Sequence, residues 1–200
     1  GIIGKNLNLD IQSGTRNLTT KNTNLNLSEG NISLATNLYE LTEIELNSGN
    51  LSYFDTKVPK KQNGEFDPNH LEITKSNFKV KKLKINNFND IYGEISNLSF
   101  KEKSGFELKK LATIINLKKD NLSLPKIEII TGSSNLNSTL NAKLDTNHIE
   151  KSSFFLTEIK GNLAPGEALY FSKNLAKNEN FKKVANTTIL IKGDLQGNTN

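Results

Sequence analysis

Apolar and polar residues alternate at a spacing of two over most of the chain: Leu7, Leu9 and Ile11; Leu25 and Leu27; Ile32 and Leu34; Ile44 and Leu46; Leu71 and Ile73; Phe78 and Val80. The pattern continues through Leu83 and Ile85, Leu98 and Phe100, Phe106 and Leu108, Ile115 and Leu117, Leu122 and Leu124, Ile127 and Ile129, and Leu140 to Leu144. A period of two sends every apolar side chain to one face of a strand and its polar neighbours to the other. The sequence therefore predicts many strands, each oily on one side and wet on the other. Ser48-Gly49-Asn50, Asn86-Asn87, Ser104-Gly105, Asp120-Asn121 and Gly132 to Asn135 stand between these runs as turn formers. Their side chains and backbone freedom suit hairpins, which predicts an up-and-down antiparallel meander. Parallel pairing needs crossover helices, and the sequence has no run of them.

Two breaks in phase sharpen this picture. Phe78 and Val80 are even-numbered, Leu83 and Ile85 odd, and Lys81-Lys82 lies between them. One strand holds both pairs on the same face only through a bulge, which adds twist and bend. Pro125 likewise separates Leu122 and Leu124 from Ile127 and Ile129, and demands a bulge, an edge or a strand start. From Pro165 to Asn186 the alternation stops, and helix formers with Leu169, Leu175 and Phe181 predict one or two short helices, Pro165 fitting a first turn. Residues 55–69, rich in Pro, Lys, Asn and Gly, read as a loop or a crossing between sheets.

Composition limits what such strands can build. Of the 200 residues 34% are hydrophobic, and Cys, Met and Trp are absent. The share is low for a globular domain with a thick core. Leu, Ile, Phe and Val still make folding the expectation rather than disorder. Without Cys there is no disulfide scaffold, thiolate metal site or cysteine nucleophile. The net charge of +5 invites a nucleic-acid reading, but Arg16 is the sole arginine among 26 basic residues. Phosphate and base recognition lean on the bidentate guanidinium, so a solvated lysine face is the better reading and no nucleic-acid partner is expected. The chain starts on Gly1, and no spanning or leader segment is legible, so it is expected to be one segment, 1–200, of a longer protein.

Strands with two or three apolar residues each, and no helices to cover them, fit a long curved sheet shaped as an open groove. A continuous apolar patch of that kind marks a partner, and acyl chains suit a long unspecific channel. The residues expected to line it are Leu83, Ile85, Leu98, Phe100, Phe106, Leu108, Ile115, Leu117, Leu122, Leu124, Ile127 and Ile129. The same alternation also serves a sandwich core. A further alternative is a structural or adhesive surface β-solenoid without lipid cargo, for which Gly30 to Leu34 and Gly49 to Phe54 are suitable segments. Solenoid coils repeat at a fixed period, whereas the spacing here is irregular.

Two stretches bear a family resemblance: Phe66 to Asn87, opening on Phe-Asp-Pro-Asn-His-Leu, and Ile95 to Leu117, containing Phe-Lys-Glu-Lys-Ser-Gly-Phe-Glu-Leu from Phe100 to Leu108. Together with Pro165 to Phe171 and Gly193 to Gly197, they resemble the repeated portion of the TamB-like, AsmA-superfamily envelope proteins of Bacteroidetes. The resemblance implies an all-β taco-shaped groove in the periplasm, belonging to a protein anchored at the inner membrane. It further implies movement of phospholipid to the outer membrane, support of outer-membrane protein assembly, and an Omp85-type barrel partner reached through other parts of the protein.

Candidate chemistry is sparse, and neither an enzyme nor a cofactor is expected. Asp67 and His70 are close in sequence, but Asp67-Pro68-Asn69 is turn chemistry. His148 has no ligand pattern beside it, no metal site is signalled, and the glycines form no phosphate loop. Lys79, Lys81, Lys82 and Lys84 make the densest basic cluster; a wet strand face that resists aggregation is the expected role, with anionic headgroups the alternative.

Overall fold

The computed structural model describes residues 1–33, 35–61, 64–87, 89–145, 148 and 151–198. Of the alternating pair Ile32 and Leu34, only Ile32 falls within them. Eleven strands form: β1 (Ile2–Ser13), β2 (Arg16–Leu27), β3 (Gly30–Ser33), β4 (Leu38–Asp55), β5 (His70–Asn86) and β6 (Asp90–Glu102). They continue as β7 (Glu107–Lys118), β8 (Asn121–Thr131), β9 (Asn135–Lys143), β10 (Ser153–Leu163) and β11 (Ile189–Asn198). All belong to one antiparallel sheet in the order β1-β2-β4-β5-β6-β7-β8-β9-β10-β11, with the short β3 beside β4. The fold is an all-β antiparallel meander curved into an open groove. Every pairing among the described strands is antiparallel, so the stacked parallel coils of a solenoid are not adopted.

One expected turn is not a turn. Ser48-Gly49-Asn50 lies inside β4, which runs 18 residues without interruption. The register skips Gly49 against both β2 and β5, and Ser48 beside it is buried, its hydroxyl bonding Thr23 Oγ1 at 3.1 Å and donating to the carbonyl of Asn50 at 3.0 Å. The same small polar residues that end a strand when a chain reverses can also crease one. The described residues between β4 and β5, 56–61 and 64–69, form a loop rather than a crossing, since β4 and β5 are neighbours in the one sheet.

Both phase breaks are bulges. Lys82 adopts φ 51° between the register steps Lys81↔Glu94 and Lys84↔Tyr92, where β5 carries one residue more than β6. A Cβ on Gly93 would meet Leu83 Cδ1 at 3.3 Å and Val80 Cγ1 at 3.5 Å, so Val80 and Leu83 share a face despite their odd spacing. Lys126 adopts φ 56° next to Pro125, between Leu124↔Leu140 and Ile127↔Ser138. Asn6 and Glu158 repeat the device in β1 and β10. The left-handed conformation costs a side chain such as Lys or Glu about 1–2 kcal/mol. Each bulge restores the apolar phase and bends its strand, and together they curl the sheet.

The bends leave backbone groups that hydroxyls satisfy. Thr113 Oγ1 donates to the carbonyl of Pro125 at 3.2 Å, and Ser138 Oγ to that of Thr157 at 3.3 Å, each next to a bulge. Thr113 and Ser138 are buried, as are Val80 and Ile127. Successive register pairs place Ile44, Val80, Ile95 and Thr113 in one line across the strands, and Ile127 and Ser138 in its continuation. This line is the floor of the groove. Among the described residues Val80, Leu108 and Ile127 are the buried hydrophobic ones, as expected of a single layer with a thin core.

The break at 165–186 is helical as expected: two 3-10 turns, Pro165–Tyr170 with Pro in its first turn and Lys173–Lys177, lead into helix α1 (Glu179–Val184). Asn178 caps α1, its side-chain oxygen accepting from the N–H groups of Asn180 and Phe181.

Candidate functional site

The apolar face is assembled row by row from cross-strand pairs. One row runs Gly4, Leu25, Leu46, Phe78, Leu98, Leu111, Ile129, Leu136, Gly161 and Ile191, each registered on the next, and so crosses all ten strands of the main path. A second runs Tyr39, Ile85, Ile91, Leu117, Leu122, Ala142, Phe154 and Gly197. Directly opposed side chains share a face, so these rows are continuous apolar stripes perpendicular to the strands.

All twelve residues expected to line a groove lie on this face. Leu98, Ile129, Ile85, Leu117 and Leu122 stand in the two rows. Leu83 is opposite Leu41, Phe100 opposite Leu108, Ile115 opposite Gly93, Leu124 opposite Leu140, and Ile127 opposite Ser138. Leu108 and Ile127 are buried and the others half-buried. Phe106 differs from its fellows because it is the hub of an aromatic cluster. Its ring centroid lies 5.7 Å from Phe66, 6.1 Å from Tyr170, 5.2 Å from Phe171 and 6.2 Å from Phe100, in tilted or edge-on arrangements.

That cluster seats a cap over one rim of the sheet. The loop before β5 and the helical segment interlock there: Phe66 N donates to Tyr170 O at 2.6 Å, and Lys173 N to Glu65 Oε1 at 2.7 Å. Glu167 latches the cap to the turn between β8 and β9. Its carboxylate accepts from Thr131 Oγ1 at 2.6 Å, Ser134 Oγ at 2.5 Å and Ser133 N at 2.7 Å. Reading the sequence missed Glu167; an acid in the first turn after a proline was the available signal, and its partners lie more than thirty residues away.

Asp67 and His70 do meet, Asp67 Oδ2 lying 3.0 Å from His70 Nδ1, but inside a turn. Asp67 Oδ1 accepts from Asn69 N at 3.0 Å and Oδ2 from Lys61 N at 2.9 Å. Burial raises the Asp67 carboxyl, yet the N–H groups of Lys61 and Asn69 and the His70 ring outweigh it and hold the group below the ordinary 3.8. Asp55 is held low in the same way by the Lys57 N–H and then the Thr15 hydroxyl. A carboxyl with a lowered folded pKa adds stability above its unfolded value, lost as pH falls through the folded one. Protection of the Lys61 and Asn69 amides, relative to their intrinsic exchange rate, is therefore expected to be full above pH 3.8 and to be lost as pH falls below it. In Asp67→Ala these amides should exchange fast already at neutral pH, and equal protection in both proteins at neutral pH would refute the clamp. Among the described residues, no group of three or more His, Asp or Glu forms a metal-binding cluster.

The outer face is polar and compensated over β4–β6. Lys79 pairs with Glu43 at 3.0 Å, Lys82 with Glu94 at 2.8 Å and Lys84 with Glu40 at 2.6 Å. Each pairing raises the lysine pKa, the side-chain hydrogen bond to its glutamate being the largest cause. Three of the four lysines of the basic cluster are thus paired with glutamates on a wet strand face. Beside it runs an amide ladder: Asn77 Nδ2 donates to Asn47 Oδ1, and Asn97 Nδ2 to Asn77 Oδ1 at 2.8 Å. A hollow of about 1030 Å³ lies across β7–β11, lined by Asn116, Ser123, Asn141 and Gln196 of the polar face together with Leu122, Ala142, Phe154 and Gly197 of the second apolar row.

Fold and site define a class: a single-layer antiparallel sheet, creased by bulges into a groove with an apolar inner face and a capped rim. No family model matches this sequence, and no curated protein or solved structure shows a significant match to it.

Proposed function

We propose that this chain is a non-enzymatic groove segment that shelters phospholipid acyl chains and guides them between the inner and outer membranes. The observation that carries the reading is the unbroken apolar row across ten strands, with no second sheet packed against it among the described residues. Sheltering an acyl chain of about sixteen carbons is worth roughly 10 kcal/mol at ~0.8 kcal/mol per methylene. Stations along a uniform row differ little in affinity, so a chain moves along them without a deep trap. The resemblance to TamB-like envelope proteins supplies the setting: the periplasm, an inner-membrane anchor elsewhere in the protein, support of outer-membrane protein assembly and an Omp85-type barrel partner. Among the described residues no helix is long and apolar enough to cross a membrane.

Photo-crosslinkers at Phe100 and Leu117 are expected to capture phospholipid, and the same probe at Asn97 on the outer face to capture at least tenfold less. Mass spectrometry of the cross-linked protein reads the result. Equal labelling on both faces, or none on the inner face of folded protein, would sink the proposal.

A further inference from the structure

Three connections at one rim each place a glycine beneath the helical cap. A Cβ on Gly132, between β8 and β9, would lie 3.1 Å from Glu167 Oε1, and one on Gly105, between β6 and β7, 3.2 Å from Tyr170 Cε1. One on Gly64, between β4 and β5, would lie 3.0 Å from Lys173 Nζ. A side chain at any of these positions would crowd the cap, so the glycines permit its close approach. Glu167, Tyr170 and Lys173 recur every three residues, the spacing at which 3-10 side chains align along one side. The cap therefore lies along the rim, over alternate connections of the meander.

It also reaches inward. Thr131, whose hydroxyl bonds Glu167, faces the groove, because it stands directly opposite Leu108 in register. Phe106, which meets Tyr170 and Phe171, also packs 6.2 Å from Phe100, the residue opposite Leu108 on the other side. Both attachments flank Leu108, and residues 167–171 lie across it. Leu108 is 8% exposed although no second sheet covers it among the described residues, whereas Leu98 and Leu117 on the same apolar face are half-buried. The cap thus occupies surface that Leu108 would otherwise offer a guest.

Its hold is light. Every residue from Pro165 to Asn186 keeps part of its surface open, and Phe171 is 46% exposed. Ring edges, the Glu167 carboxylate and single backbone bonds form the seat, so the cap leaves without breaking a strand pairing. Segments with few buried contacts open more readily than the sheet beneath them.

We infer that the cap is a displaceable plug: residues 167–171 fill the apolar face at this rim, and an acyl chain gains that part of the groove by driving them off. The inference rests on the acyl-chain reading. Two occupants that exclude each other weaken each other's hold equally.

Three amides report the seated cap in the unmodified chain: Phe66, bonded to Tyr170 O, Ser133, bonded to Glu167, and Lys173, bonded to Glu65. Vesicles of palmitoyl-oleoyl phosphatidylglycerol are expected to speed their hydrogen exchange together by about tenfold, while the amides of β7 stay protected. Glu167→Ala, and separately Tyr170→Ala with Phe171→Ala, unseat the cap and leave every groove residue in place. In both, lipid capture by a diazirine-bearing leucine analogue at Leu108 should rise about tenfold, with capture at Leu117 unchanged. Circular dichroism checks that the variants keep their sheet. No label at Leu117 would overturn the acyl-chain reading and this inference with it. Label at Leu117 with the three amides unmoved by lipid, or with capture at Leu108 no greater in the folded variants, would overturn the plug alone.

Discussion

Ile127→Ala is expected to destabilise the chain by about 2–4 kcal/mol, lowering the urea midpoint with little change in slope. Ile127 is one of three buried hydrophobic residues among those described, and it stands on the groove floor opposite Ser138, directly after the Lys126 bulge. A single layer has no opposing sheet to collapse into the space its side chain leaves. The bulge also fixes the local backbone, since Thr113 is bonded to the carbonyl of Pro125 on one side and Ser138 to that of Thr157 on the other. Most of the cavity therefore persists. Against a total stability of ordinarily 5–15 kcal/mol, the loss is large. Ile32→Ala, at a residue 52% exposed on β3, should change stability by no more than about 0.5 kcal/mol. Equal costs at the two sites, measured by urea unfolding, would mean that the floor is no more of a core than the surface.

Phe106→Ala is expected to cost about 3 kcal/mol and to free the cap from the rim. Four aromatic rings contact Phe106, three of them from the loop before β5 and from the helical segment. Removing the hub leaves the cap held by Glu167 and by the backbone bonds of Phe66 and Lys173, all near the molecular surface. Proteolysis between Ser172 and Thr188 should then accelerate at least tenfold while the amides of β6 and β7 stay protected. Unchanged cleavage would show that Glu167 holds the cap without the aromatic cluster, and cleavage spreading into β6 and β7 would show that the cap and sheet unfold together.

Much of the architecture was legible because a strand repeats every two residues, and a repeat that short survives in sequence. The strands containing Leu98 and Phe100, or Leu122 and Leu124, needed no tertiary knowledge. The bulges at Lys82 and Pro125-Lys126 were legible too, as phase errors in the same count. Ser48-Gly49-Asn50 misled, because chain reversal and strand bending require the same small polar residues and differ only in where the following strand travels. The Phe106 hub and the ladder of Asn47, Asn77 and Asn97 left no local mark, and Glu167 only its place in a first helical turn, since their partners, Phe100 apart, are twenty or more residues distant.

Read alone, the amino-acid order was enough to establish that one side of each strand is oily and the other wet, because side-chain direction in a strand depends only on parity. Which strands are neighbours, where the sheet bends most deeply, and which rim is capped emerged from the folded chain. Those features depend on register between distant segments, set by bulges that must agree from strand to strand and by long-range contacts such as those of Phe106 and Glu167.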